Sequence, residues 1–122
     1  MRPLLHPSVD DVSVEGILHA LSDPIRFRIF ADIARAANPQ TCSACGAMIE
    51  AGVPKSTLSQ HFKVLRESGL IRSERQGVEM LNTSRQDEID RRFPGLVDAV
   101  LEAHDTQSKL RRRARRSRHT GR

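Results

Sequence analysis

The segment VPKSTLSQHFKVLRESGLIRSERQG, residues 53–77, constrains the fold more than any other part of the chain. Leu58, Phe62 and Leu65 fall at i, i+4 and i+7, the apolar stripe of a short amphipathic helix. Lys55, Ser56, Thr57, Ser59, Gln60 and Lys63 fall off that stripe and are small polar or basic, and no acid occurs before Glu67. A face of amides, hydroxyls and amines without carboxylates suits a DNA major groove, where phosphates repel acids and base edges accept and donate hydrogen bonds. Gly69 predicts the end of the helix. Leu70–Glu74 and Val78–Ser84 then read as two strands with Gln76-Gly77 at the tip of a hairpin, so a helix is followed by a β-wing. Arg72 and Arg75 lie on the first strand or the tip, where a wing meets phosphates.

The rest of the chain supplies a mainly α scaffold. Ser13 predicts the cap of a helix over Val14–Leu21 with Val14, Ile17, Leu18 and Leu21 on one face. Ser22-Asp23-Pro24 restarts a helix, expected to run to about Ala37 with Ile25, Ile29, Phe30 and Ile33 inward. Asn38-Pro39 stops it, and a short helix is expected from Cys42 or Ser43 to Ala51. QDEIDRR at 86–92 reads as a polar helix whose acids Asp87, Glu88 and Asp90 favour its dipole, and Pro94-Gly95 interrupts it. A last helix, expected from Leu96 to Gln107, carries Leu96, Val97, Val100, Leu101 and His104 in one band.

The 122 residues suit one domain, and with no Trp or Tyr and four Phe the core is thin, so a partner surface would add buried area. From Lys109 to Arg122 there are eight basic residues and no acid. The preceding residues hold twelve basic against fifteen acidic, a net of −3. The expected organisation is therefore a flexible arm over 1–12, a folded domain over 13–108 and a basic disordered tail over 109–122 that seeks polyanions, DNA first among them; a solubilising end is the other reading. No apolar run approaches the ~20 residues of a membrane span. With no secretion signal read at the N-terminus, the two cysteines point to a reducing cytoplasm. No nucleophile elbow, phosphate-binding glycine loop or zinc-hydrolase pair supports an enzyme.

Two segments carry a resemblance. LSDPIRFRIF and KSTLSQHFKVLRESGLI are similar to the corresponding motifs of the ArsR (arsenic-repressor) family of bacterial winged helix-turn-helix regulators, and the likeness spans about residues 13–104. It implies a homodimeric repressor that dimerises through its first and last helices. Lys55, Ser56, Ser59 and Gln60 then align with base-facing positions, His61 and Lys63 flank them, Thr57 shares their helix, and Arg72 and Arg75 align with the wing. The bands Val14, Ile17, Leu18, Leu21 and Leu96, Val97, Val100, Leu101 become two halves of the interface. Such a dimer sets two recognition helices about 34 Å apart and implies an inverted-repeat operator in double-stranded DNA, in a bacterial cytoplasm at the nucleoid. The alternative is a winged-helix adaptor that binds protein and lacks specific DNA binding.

Sensing is the open question. Cys42 and Cys45 form CSAC, two thiols at i, i+3. Three roles stay open: plain structural thiols, a site for a soft metal ion or arsenite, and a redox switch. The family's metal sensors carry Cys-x-Cys before the recognition helix; here Cys45 matches the second position and Ser43 stands at the first. Two sulfurs fall short of a complete zinc set, and His6, His19 or a second chain would have to complete it. On the last helix, Asp98, Glu102, His104 and Asp105 lack the spacing of the family's other metal site, while His19, His104, Arg26 and Arg28 read as packing or solvated residues.

Overall fold

The computed structural model describes residue 4, residues 6–41 and residues 51–120. The short helix expected between Cys42 and Ala51, and both cysteines, lie outside the described residues apart from Ala51. A 3-10 turn at Val9–Asp11 precedes α1 (Val14–Ala20) and α2 (Pro24–Arg35); β1 (Gln40–Thr41) follows. Then come α3 (Lys55–Glu67), β2 (Ile71–Gln76), β3 (Glu79–Ser84), α4 (Gln86–Arg92) and α5 (Leu96–Thr120).

Local chemistry sets the boundaries. Ser13 Oγ accepts from the Gly16 amide at 3.0 Å and caps α1. Asp23 accepts from the amides of Ile25 and Arg26 at 2.9 and 3.0 Å, and Pro24 sits at the first turn of α2, where its missing N–H costs nothing. Those bonds, the Arg26 amide first, hold the Asp23 carboxyl below its ordinary value despite some burial. The end of α3 is a Schellman motif: Leu70 N–H donates to Leu65 O and Gly69 N–H to Arg66 O, both at 3.0 Å, with Gly69 at φ +87°. Gly77, at φ +63°, makes the hairpin turn.

The sheet has three antiparallel strands in the order β1-β3-β2. The hairpin pairs Ile71 with Ser84 and Gln76 with Glu79 at its ends. Beyond the expected hairpin, β1 adds two pairs, Gln40 with Asn82 and Thr41 with Leu81. A buried polar bridge holds the three strands in register: Ser73 Oγ donates to Asn82 Oδ1 at 2.6 Å, and Asn82 Nδ2 donates to Gln40 O at 3.0 Å. The core joins Ile17 and Leu21 of the first helical segment, Phe27, Ile29, Phe30 and Ile33 of α2, Leu58, Phe62 and Leu65 of α3, Ile71 of β2, Ile89 of α4, and Val97 and Leu101 of α5.

Two expectations are corrected. Residues 6–12 are docked, not a free arm. Arg85, itself buried, donates to Pro7 O at 2.8 Å and to Glu88 Oε2 at 2.8 Å, while Arg92 donates to the carbonyls of Val9, Asp10 and Val12. His6 Nε2 accepts from the Ser73 amide on β2, and Val12 is buried against Gly69. The Arg85 hydrogen bonds hold the Glu88 carboxyl below its usual range, outweighing burial, with further help from the charges of Arg85 and Arg72.

The second correction concerns the basic segment. α5 does not stop at Gln107 but continues to Thr120, so residues 109–120 are helical. No Gly or Pro interrupts 96–120, and Lys, Leu, Arg and Ala are strong helix formers. Cations at the C-terminal end of a helix also oppose its dipole favourably. Against this, Lys109–Arg113, Arg111–Arg115 and Arg112–Arg116 are like-charge i, i+4 pairs, each costing a few tenths of a kcal/mol.

Candidate nucleic-acid interface

α3 divides as its sequence predicts. Leu58, Phe62 and Leu65 are buried, and Lys55, Ser56, Thr57, Ser59, Gln60 and Lys63 are all exposed. Its N-cap is Pro54, which makes no side-chain cap bond. The first-turn amides of α3 therefore point outward without a side-chain acceptor, at the positive end of the helix dipole and beside Lys55. Helix N-termini of this kind favour phosphate. No carboxylate lies in the first turn to compete.

His61 does not join that face. It lies three residues after Leu58 and four before Leu65, so the helical period carries it inward, and it is 7% exposed. Its Nδ1 lies 3.5 Å from Arg26 Nη1. Arg guanidinium groups only donate, so a hydrogen bond across this gap requires Nδ1 to accept. Arg26 is likewise not a solvated helix residue: its Nε donates to Ala20 O at 2.6 Å and its Nη2 to His19 O at 3.1 Å. One side chain thus caps the C-terminus of α1 and touches α3. Arg28, by contrast, is exposed as expected.

The wing places its two arginines differently. Strand pleating sends Arg72 and Arg75 to opposite faces of β2. Arg75 is exposed near the tip, opposite Met80. Arg72 sits at the base of the wing, 3.5 Å from Glu88 of α4, and is only partly exposed. The tip also carries exposed Glu74 and Glu79, so its charge is mixed, and Val78 is almost fully exposed.

Half of the residues in the expected interface bands are consumed by the chain's own core. Ile17, Leu21, Val97 and Leu101 are 0–8% exposed and belong to the core. A side chain already enclosed has no surface to give a second chain. Val14, Leu96 and Val100 are half-buried and Leu18 is exposed, so these four alone of the eight present apolar area to solvent.

Three polar residues of α5, His104, Asp105 and Asp98, are engaged within the chain. The His104 ring stacks on Phe27 with centroids 4.1 Å apart, Asp105 pairs with Arg35 at 2.8 Å, and Asp98 accepts from Gln86. His6, a conceivable third ligand for the thiols, is committed to Ser73. Burial first, then the charges of Arg72, Arg85 and Arg66, hold its pKa below the ordinary histidine value, which favours the neutral, accepting ring. Among the described residues no three His, Cys, Asp or Glu side chains converge as a metal site. No helix of the described residues is long and apolar enough to cross a membrane.

Two comparisons bear on this arrangement. A sequence-family model described as "Helix-turn-helix domain" matches residues 21–74, which span α2 and α3 and reach into β2. The chain has a winged helix-turn-helix fold. The winged helix is similar to a solved structure titled "ArsR-like Transcriptional Regulator from Rhodococcus sp. RHA1", with a TM-score of 0.54 and 22% sequence identity over 82% of this chain and 91% of that one. No curated protein matches its sequence. A helix-turn-helix domain is a DNA-reading module of transcriptional regulators, its second helix being the one that enters the major groove.

Proposed function

We propose that this winged helix is a sequence-specific DNA-binding transcriptional repressor that works as a homodimer on an inverted-repeat operator. One observation carries the reading: α3 offers an exposed, acid-free face, Lys55 to Lys63, that begins at a helix N-terminus without a side-chain cap. Lys55 and the first-turn amides hold phosphate, and Ser56, Thr57, Ser59 and Gln60 face base edges. Lys63 and Arg75 add backbone contacts. Val14 and Leu18 of α1 with Leu96 and Val100 of α5 supply the interface, and the dimer sets two α3 helices into successive major grooves. The protein acts in the bacterial cytoplasm, at the nucleoid. Cys42 and Cys45 are the proposed receiver of a thiol-reactive signal, a soft metal ion, arsenite or an oxidant.

The test is a gel shift on the DNA upstream of its own coding region against a mixed-sequence duplex at fixed salt. A repressor prefers the upstream DNA by about a thousandfold or more. Equal affinity for the two duplexes rejects sequence-specific repression, and no affinity for either leaves the protein-binding adaptor.

A further inference from the structure

α2 and α5 enclose an open groove of about 490 Å3 that neither the recognition helix nor the wing lines. Its walls are two helical stripes, Arg28, Asp32 and Arg35 on α2 and Asp105, Arg111, Arg112 and Arg115 on α5. Asp105 is spent on Arg35. Among the described residues Arg28, Arg111, Arg112 and Arg115 take part in no salt bridge, so four guanidinium groups converge on the groove with Asp32 as the one carboxylate not held in a pair. The surrounding helix surface repeats the pattern, with Lys109, Arg112, Arg113 and Arg116 lining an adjoining hollow. No acid follows Asp105 in the chain.

We infer that this groove is a second phosphate-binding surface that grips the backbone of duplex DNA without reading its sequence. Four features select that occupant. Guanidinium groups match phosphate oxygens with paired donors. The lining arginines are exposed and the groove is open along the helix, which fits a polymer's backbone; sites for small molecules enclose most of their ligand. The row continues over more than two helical turns, as a backbone does. A polyanion also relieves the like-charge repulsion between the i, i+4 arginines of α5. The basic end of the chain is thus a shaped helix completed by Arg28 from the body of the fold, where sequence alone suggested a loose tail. The inference rests on duplex DNA being the partner of α3.

The experiment compares wild type with an R28Q/R111Q/R112Q/R115Q variant and with Q60A, on the upstream duplex and on a mixed-sequence duplex, across salt from about 50 to 200 mM. Glutamine keeps helix propensity, and thermal melts monitored by circular dichroism check that the quadruple variant folds. Loss of four phosphate contacts lowers the salt slope on both duplexes by about 3.6 per protomer engaged. From about 200 down to 50 mM the wild type's advantage over the variant on mixed-sequence DNA then grows roughly a hundredfold, while the variant's preference for the upstream duplex is retained. Q60A does the reverse, losing preference and keeping slope. In wild type, duplex addition raises the helical signal at 222 nm more than in the quadruple variant. A quadruple variant that binds with the wild-type slope overturns the inference and leaves the reading of α3 standing. So does a wild-type thermal shift with inorganic phosphate, or capture by phosphatidylserine vesicles, that the four substitutions abolish without changing duplex affinity. Wild type that binds neither duplex overturns both.

Discussion

Replacing Gly69 with alanine should destabilise the winged helix by about 2–4 kcal/mol, from two separable costs. Gly69 holds φ +87° at the C′ position of α3, and an L-residue pays roughly 1 kcal/mol for that conformation. The added Cβ would also collide with Val12 Cγ2, too close for any real contact. Val12 is 3% exposed and its segment is held by Arg92, so the neighbour cannot swing into solvent. Overpacking of that sort costs about 1–3 kcal/mol. The two costs part company in a double-mutant cycle. Val12→Ala alone loses two buried methyl groups, about 2 kcal/mol. Combined with Gly69→Ala it removes the clash and leaves the backbone cost, so the double variant should be about 1–3 kcal/mol more stable than the sum of the singles implies. Urea denaturation of the four proteins with a common slope measures this. Additive losses would show that the close approach of Val12 does not matter, and a neutral Gly69→Ala would refute the left-handed cap as well.

Gln60→Ala or Ser59→Ala should cost about 1–3 kcal/mol of discrimination at the base pair concerned, scored by competition between single-base operator variants, with thermal stability unchanged because both residues are exposed. Arg75→Ala should weaken all DNA alike and lower the salt slope by about one unit, whereas Arg72→Ala should lower it less, its guanidinium being held by Glu88. Docking of the N-terminal segment should depend on pH through His6. Its folded pKa lies below the ordinary histidine value of 6.5, so the contribution is complete above that value and fades as the pH falls through the lowered one. Hydrogen exchange of the Ser73 amide should quicken over that acidic interval in wild type, and rates without any pH-dependent change in protection would count against it. A Cys42→Ser/Cys45→Ser variant should stay on the operator when arsenite, cadmium or peroxide releases wild type; equal release of both proteins excludes the thiols as receivers.

Elements whose signals are local were legible in the sequence. Ser13, Asp23-Pro24, Gly69 and Gln76-Gly77 act on amides within a few residues, and the stripe Leu58, Phe62, Leu65 fixes the buried side of α3. What escaped depends on distant partners. β1 is two residues long, too short for a period, and exists because Asn82 reaches Gln40 across the sheet. Arg85 carries no local signal and Arg92 lies in the polar run QDEIDRR, yet each donates to a carbonyl some eighty residues away in sequence. His61 can be read from sequence either as a flank of the DNA face or as an inward group, and its spacing from Leu58 and Leu65 decides for the inward one. The bands of α1 and α5 were seen correctly as apolar, but periodicity does not say whether an apolar face meets its own core or another chain, and half of those residues meet the core.

The short third strand carries one more implication. Cys42 follows Thr41 directly, so a single peptide bond separates the first thiol from a strand laced to β3, the returning half of the wing. If the thiols receive a signal, as proposed, the rung between Thr41 and Leu81 is the first described pairing that a change at Cys42 would reach, and the hairpin that carries Arg75 lies directly beyond it. Sensor and pointer would then be neighbours on one lever, with no relay through the hydrophobic interior.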